Sequence, residues 1–220
     1  MTDYSGDMIV NLMGLPGEVP PAPGVRIKHT FAGDRKKILQ FVQENFSDSW
    51  VQETETALMQ VPSTCFLAEE QGEIVGFACY DVSAREFFGP IGVRQSSRGK
   101  GIGQCLLLRC LHCMREMGYA YAIIGWVGEA EDFYRKTVKA EYIPGGAPLH
   151  SVYGNIIGIQ EKLKKQSMAG IKRKPAVRMN RTAGFLFIGR YVKGLILKLE
   201  NRVSHPFPAG HHIPLHRCGP

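Results

Sequence analysis

The sequence predicts an α/β fold in which helices cover both faces of one mixed sheet. Three observations carry that expectation. A hairpin pattern spans residues 64–82, a strand runs into a glycine-punctuated loop and a helix over 86–118, and a further strand and helix follow to residue 138. Antiparallel strands first and a β-α-β-α run second give a sheet that mixes both strand directions.

The first 24 residues end in "GEVPPAPG", which cannot continue a helix, so residues 1–24 read as an extension with a proline-rich connector and the compact domain as 25–160. "VRIKH" alternates like a strand, and the helix after it sets Ile38, Leu39, Val42 and Phe46 on one face with Asp34 as its N-cap. A second amphipathic helix is expected across "WVQETETALMQ". Two apolar runs meeting at Gln71 and Gly72 form the strongest hairpin signal. "EFFGPIGV" reads as a strand that Gly89 and Pro90 force to bulge or bend. Ile102, Leu106, Leu107, Cys110, Met114 and Met117 then hold helical spacing until Gly118. "YAYAII" is a short buried strand, "EAEDFYRKTV" a helix with Phe133, Tyr134 and Val138 inward, and "AEYI" and "YGNII" weaker strand-like pieces.

Charge is distributed unevenly. The chain of 220 residues carries a net +7. Up to residue 160, Lys and Arg number 14 against 18 acids, whereas residues 161–220 hold 13 against 2. The body is acidic, and 161–220 is a basic C-terminal extension that reads as an amphipathic helix or as disordered. That pattern leaves peripheral membrane contact through the tail open, and the lack of aromatic–basic interleaving disfavours nucleic acid. No basic segment precedes an apolar stretch at the start, and Arg190 and Lys193 interrupt the longest apolar run, so a cytoplasmic protein is expected. Cys65, Cys79 and Cys105 sit in apolar segments, which fits that compartment.

The loop is the chemically informative stretch. Glycines let consecutive N–H groups converge on an anion, and a helix N-terminus adds partial positive charge. Here they fall at 99, 101 and 103, a spacing that matches neither the dinucleotide fingerprint nor a nucleoside triphosphate loop. Arg98-Gly99-Lys100-Gly101-Ile102-Gly103 does fill the signature Gln/Arg-x-x-Gly-x-Gly/Ala that follows a strand, here ending Ile91-Gly92-Val93. With the order of elements over residues 25–157, the chain resembles the GNAT superfamily of N-acetyltransferases, in its bacterial-type stand-alone form.

That resemblance implies the GNAT acyl-CoA N-acyltransferase fold, with a central, mostly antiparallel sheet, and acetyl-CoA as co-substrate without a metal. It implies that Gly99, Gly101, Ile102 and Gly103 hold the CoA pyrophosphate through their N–H groups, with Arg98 and Lys100 supplying charge. The backbone at Ile91 and Val93 would pair with pantetheine as an added strand and polarise the thioester. Tyr134 matches the tyrosine that protonates the departing thiolate. For the base, Glu86 is preferred over Asp81, both being strand-end acids near the expected cleft mouth. Phe87, Phe88, Tyr80 and Trp126 are candidates for an aromatic acceptor wall. The family's frequent asparagine after the loop helix is absent from "GWVGEAED".

The expected activity is therefore N-acetyl transfer, an acyltransferase reaction with a non-aminoacyl group, to a small-molecule or peptide amine. The rival reading is a non-catalytic acyl-CoA sensor whose basic tail binds a partner or membrane surface; a homodimer is also open. Cys110-x-x-Cys113 lies within a helix with no second pair, and His205, His211, His212, His216 and Cys218 lie in the tail, so neither set is assigned a metal.

Overall fold

A computed structural model describes residues 6–146 and 150–157. Seven strands form one sheet: β1 (Met8–Asn11), β2 (Val25–His29), β3 (Cys65–Glu70), β4 (Glu73–Tyr80), β5 (Phe87–Val93), β6 (Tyr121–Ile124) and β7 (Glu141–Tyr142). Their order is β2-β3-β4-β5-β6-β1-β7. Among these neighbours β5 and β6 alone run parallel, so the sheet is mostly antiparallel, as expected.

The helices are α1 (Arg35–Asn45), α2 (Asp48–Met59), α3 (Ile102–Glu116) and α4 (Glu131–Val138). Buried residues fall into two clusters. Ile38, Phe41, Val42 and Ala57 of α1 and α2 pack with Leu67 and Phe77, while Leu106, Leu107, Cys110 and Met114 of α3 pack with Phe66, Ala68 and Ala78. Neighbours in sequence, Phe66 and Leu67, thus feed opposite clusters, which is why β3 reads as a continuous apolar run: both of its faces are covered. The hairpin turn is where the sequence put it, with Gln71 and Gly72 both at positive φ as a tight two-residue turn requires.

Three expectations are corrected. The domain does not begin near Val25: β1 lies between β6 and β7, pairing Met8 with Ile124 and with Tyr142, and Met8, Val10 and Leu12 are fully buried. The proline-rich stretch connects a strand to the rest of its own sheet. In α1 the buried face is Ile38, Phe41 and Val42, and the Asp34 carboxylate, instead of capping the helix, accepts from the Phe31 N–H and from Lys28. "YGNII" is no strand, because Val152–Asn155 form a 3-10 turn. The basic extension, 161–220, lies outside the described residues.

Candidate active site

The parallel pair sets the site. β5 touches β6 through Phe87 opposite Ile123 and Phe88 opposite Ile124, and the two strands then separate, although β5 stays paired to β4 as far as Val93. Arg94 N–H donates to Val75 C=O at 2.8 Å. In an antiparallel ladder every second residue bonds to the neighbour, so Gly92 also faces β4, and the Ile91 and Val93 backbone groups point into the gap. Gly89, with φ +124, bends the strand at its middle.

The gap opens into a cavity of about 1270 Å³ lined by β5, the 98–101 loop and the first turn of α3, α2, residues 124–130 and α4. At one end of β5, Gly99, Gly101, Ile102 and Gly103 line it together with Arg98, whose side chain also donates to Val93 C=O at 3.2 Å. Gly101 has φ +75 immediately ahead of α3, a conformation open to glycine at low cost, and this left-handed residue turns the loop into the helix. Lys100 departs from expectation: it is outside the lining, and Nζ is held by Glu70 at 2.8 and 3.0 Å.

At the other end, roughly 20 Å along a strand of seven residues, a polar cluster meets aromatic rings. Ser83 Oγ donates to Glu53 Oε1 at 2.7 Å and lies 3.2 Å from the Tyr153 hydroxyl. The Tyr153 ring packs edge-on against Phe87 and Trp126, with centroids 6.3 and 5.8 Å away. Gly125 permits the approach, since a Cβ there would lie 2.8 Å from the Tyr153 oxygen. Glu53 lines the cavity, and burial pushes its carboxyl above the usual glutamate range against the pull of the Ser83 hydrogen bond. Tyr153 is pushed up to about 12, mostly by burial.

Tyr134 lines the cavity between these ends, buried on α4 and stacked edge-on against Phe88 at 6.4 Å. Burial drives its phenol upward, so the hydroxyl stays protonated at any working pH. Glu86 does not join it. Its side chain is exposed and outside the cavity, while its backbone is fixed at φ +66 by an N–H bond to Asp81 Oδ1 and a C=O bond from Ile123 N–H. Asp81 is likewise engaged, accepting from Glu86 N–H and the Tyr119 hydroxyl with Arg85 beside it. Of the aromatic set, Phe88 and Trp126 line the cavity, Phe87 backs Tyr153, and Tyr80 belongs to the buried cluster beneath α3.

Trp126 is held in place from the N-terminal strand region. Its φ is +48, costly for a bulky residue, and its N–H donates to the buried Asp7 carboxylate at 2.9 Å. Replacing Asp7 with alanine leaves that N–H without its charged acceptor. The variant should lose about 1–3 kcal/mol in chemical denaturation and show a shifted Trp126 fluorescence maximum.

Residues 62–137 match the family described as Acetyltransferase (GNAT) domain, and the seven-stranded sheet has the fold of GNAT N-acetyltransferases. Among solved structures it is similar to a GCN5-related N-acetyltransferase from Sphaerobacter thermophilus, at 22% identity and TM-score 0.53 over 63% of this chain and 48% of that one. It is also similar to the GCN5-related glucosamine N-acetyltransferase region of a fungal multi-domain GH3 β-N-acetylglucosaminidase, at 15% identity and TM-score 0.52 over 65% of this chain and 20% of that one. The chain thus spans about half the length of the first and a fifth of the second. No curated protein matches it. Among the described residues no helix is long and apolar enough to cross a membrane.

Proposed function

We propose that this protein is an acetyl-CoA-dependent N-acetyltransferase of the cytoplasm that moves acetyl directly onto a primary amine. The observation that carries the reading is the continuity of one cavity from the 98–103 cradle, past the open edge of β5 at Ile91 and Val93, to Tyr134 and Glu53. An elongated CoA ester fits that path: pyrophosphate on the Gly99, Gly101, Ile102 and Gly103 amides with Arg98 at the rim, and pantetheine beside β5 as a further strand.

Acetyl-CoA supplies the acyl group, and the protein's own residues manage charge and protons. A backbone N–H near Ile91 stabilises negative charge on the thioester oxygen. Glu53, anchored by Ser83, takes a proton from the acceptor ammonium directly or through one water, leaving a neutral amine to attack. A C–N bond forms as the C–S bond breaks, Tyr134 gives its proton to the leaving sulfur, and the second proton that the nitrogen sheds in becoming an amide returns through water to the Tyr134 phenolate. The cysteines are not needed as nucleophiles: Cys65, Cys79 and Cys110 are buried, and burial raises the Cys79 and Cys110 thiols.

Tyr134→Phe tests the thiolate role. It should lower kcat by about 10²-fold while the acetyl-CoA dissociation constant changes less than about threefold, because the ring packing against Phe88 survives. Unchanged kcat removes Tyr134 from the chemistry.

A further inference from the structure

The charges around the cavity are segregated, and the segregation selects the acceptor. Arg98 is the one cation among the described lining residues, and it sits past Val93 at the cradle end. At the Phe87 end the charged lining residue is Glu53, half-buried and bonded to Ser83, while Glu129, exposed, lines the cavity from the turn ahead of α4. Around Glu53 the walls are Trp50, one helical turn away on α2, with Val82, Trp126 and Tyr153. The neutral polar groups of α2 in the lining, Ser49, Gln52 and Thr56, are exposed and form the rim.

Resting on the acetyltransferase reading above, we infer that the acceptor is a primary amine borne on an aromatic or branched alkyl body and lacking a carboxylate. An ammonium group gains from the Glu53 carboxylate and from the faces of Trp126 and Tyr153. The rest of such a molecule replaces water against apolar walls. An amino acid brings a second carboxylate to within a few ångströms of Glu53, where no lysine or arginine among the lining residues answers it; like charges so placed, out of water, disfavour binding strongly. A sugar amine, in turn, sets hydroxyls against Trp50, Val82 and Trp126, where their hydration is lost without replacement, and a linear polyamine has no aromatic or branched body to cover those walls.

Matched amines differing only in the carboxylate test this on the full chain. Steady-state acetylation of tryptamine against tryptophan, and of phenethylamine against phenylalanine, is measured beside glucosamine and spermidine, with acetyl-CoA affinity measured calorimetrically on the same preparation. The expected result is a kcat/KM for each decarboxylated amine at least about 100-fold above its amino acid, and above glucosamine and spermidine. In Glu53→Gln the remaining activity should discriminate within each pair by less than about tenfold, because the repelling charge is gone; a ratio unchanged in that variant contradicts the charge argument. If acetyl-CoA binds but the amino acid, the sugar or the polyamine is preferred, or no amine of the panel is acetylated, the acceptor inference is wrong while the cofactor reading stands. If acetyl-CoA does not bind, both fall together.

Discussion

Gly101→Glu abolishes acetyl-CoA binding: a calorimetric titration that yields roughly micromolar affinity for the native chain yields no measurable heat for the variant. A Cβ at Gly101 meets nothing within 4 Å, so the new side chain extends into open space on the cavity side of the loop, where its carboxylate opposes the pyrophosphate. The residue's φ of +75 adds about 1–2 kcal/mol of strain for a residue with a Cβ. Gly101→Gln separates the two effects, since glutamine bears the same left-handed strain and nearly the same volume as glutamate and brings no charge. It should keep affinity within about tenfold and leave the melting temperature near that of Gly101→Glu. Equal losses in both variants would assign the effect to the backbone and not to an anion.

Glu53→Gln has the second large effect, and it moves activity and stability in opposite directions. Losing the base lowers kcat/KM by about 10²–10⁴-fold. In the native protein the pH profile rises through a group above the ordinary glutamate value of 4.5, because burial holds the Glu53 carboxyl up; that limb is absent from the variant. For stability, a carboxyl raised on folding binds its proton more tightly in the folded state. Its contribution is therefore fully present below the unfolded value and is lost as pH rises through the folded one. At neutral pH the native chain bears the cost of an ionised, half-buried carboxylate that glutamine does not, so the variant melts higher at pH 7–8 and the difference shrinks toward pH 4. Unchanged kcat/KM in Glu53→Gln returns the search for the base to other groups.

How much of this was legible in the sequence depends on the range of the interactions. The hairpin at Gln71-Gly72, the cradle over 98–103 and the inward Tyr134 were all readable, because turn chemistry, glycine spacing and helical periodicity are local. Met8–Asn11 was not, since four residues ahead of a proline-rich stretch show no periodicity, and their partners lie more than a hundred residues on. Glu53 does leave a mark in the sequence: it falls three residues after Trp50 and four before Ala57, on the apolar side of its helix, where an acid is unexpected. Glu86 misled because a strand-end acid beside a bulge has the right address in sequence; its positive φ and its backbone bonds to Asp81 and Ile123 turn the side chain outward. Lys100 misled for a related reason, as Glu70, thirty residues away, captures it. Tyr153 completes the acceptor wall only through tertiary contacts with Ser83, Phe87 and Trp126.

The central claim is that backbone, from the cradle and from the open edge of β5, holds the CoA ester in the gap between β5 and β6. Amide hydrogen exchange of the full chain with and without saturating acetyl-CoA reads those groups directly. The account predicts slowed exchange at Gly99, Gly101, Ile102 and Gly103 and at Ile91 and Val93, with little change at Gly92, which already bonds to β4. Protection confined to other segments, or none at these amides under conditions where acetyl-CoA binds, would contradict it.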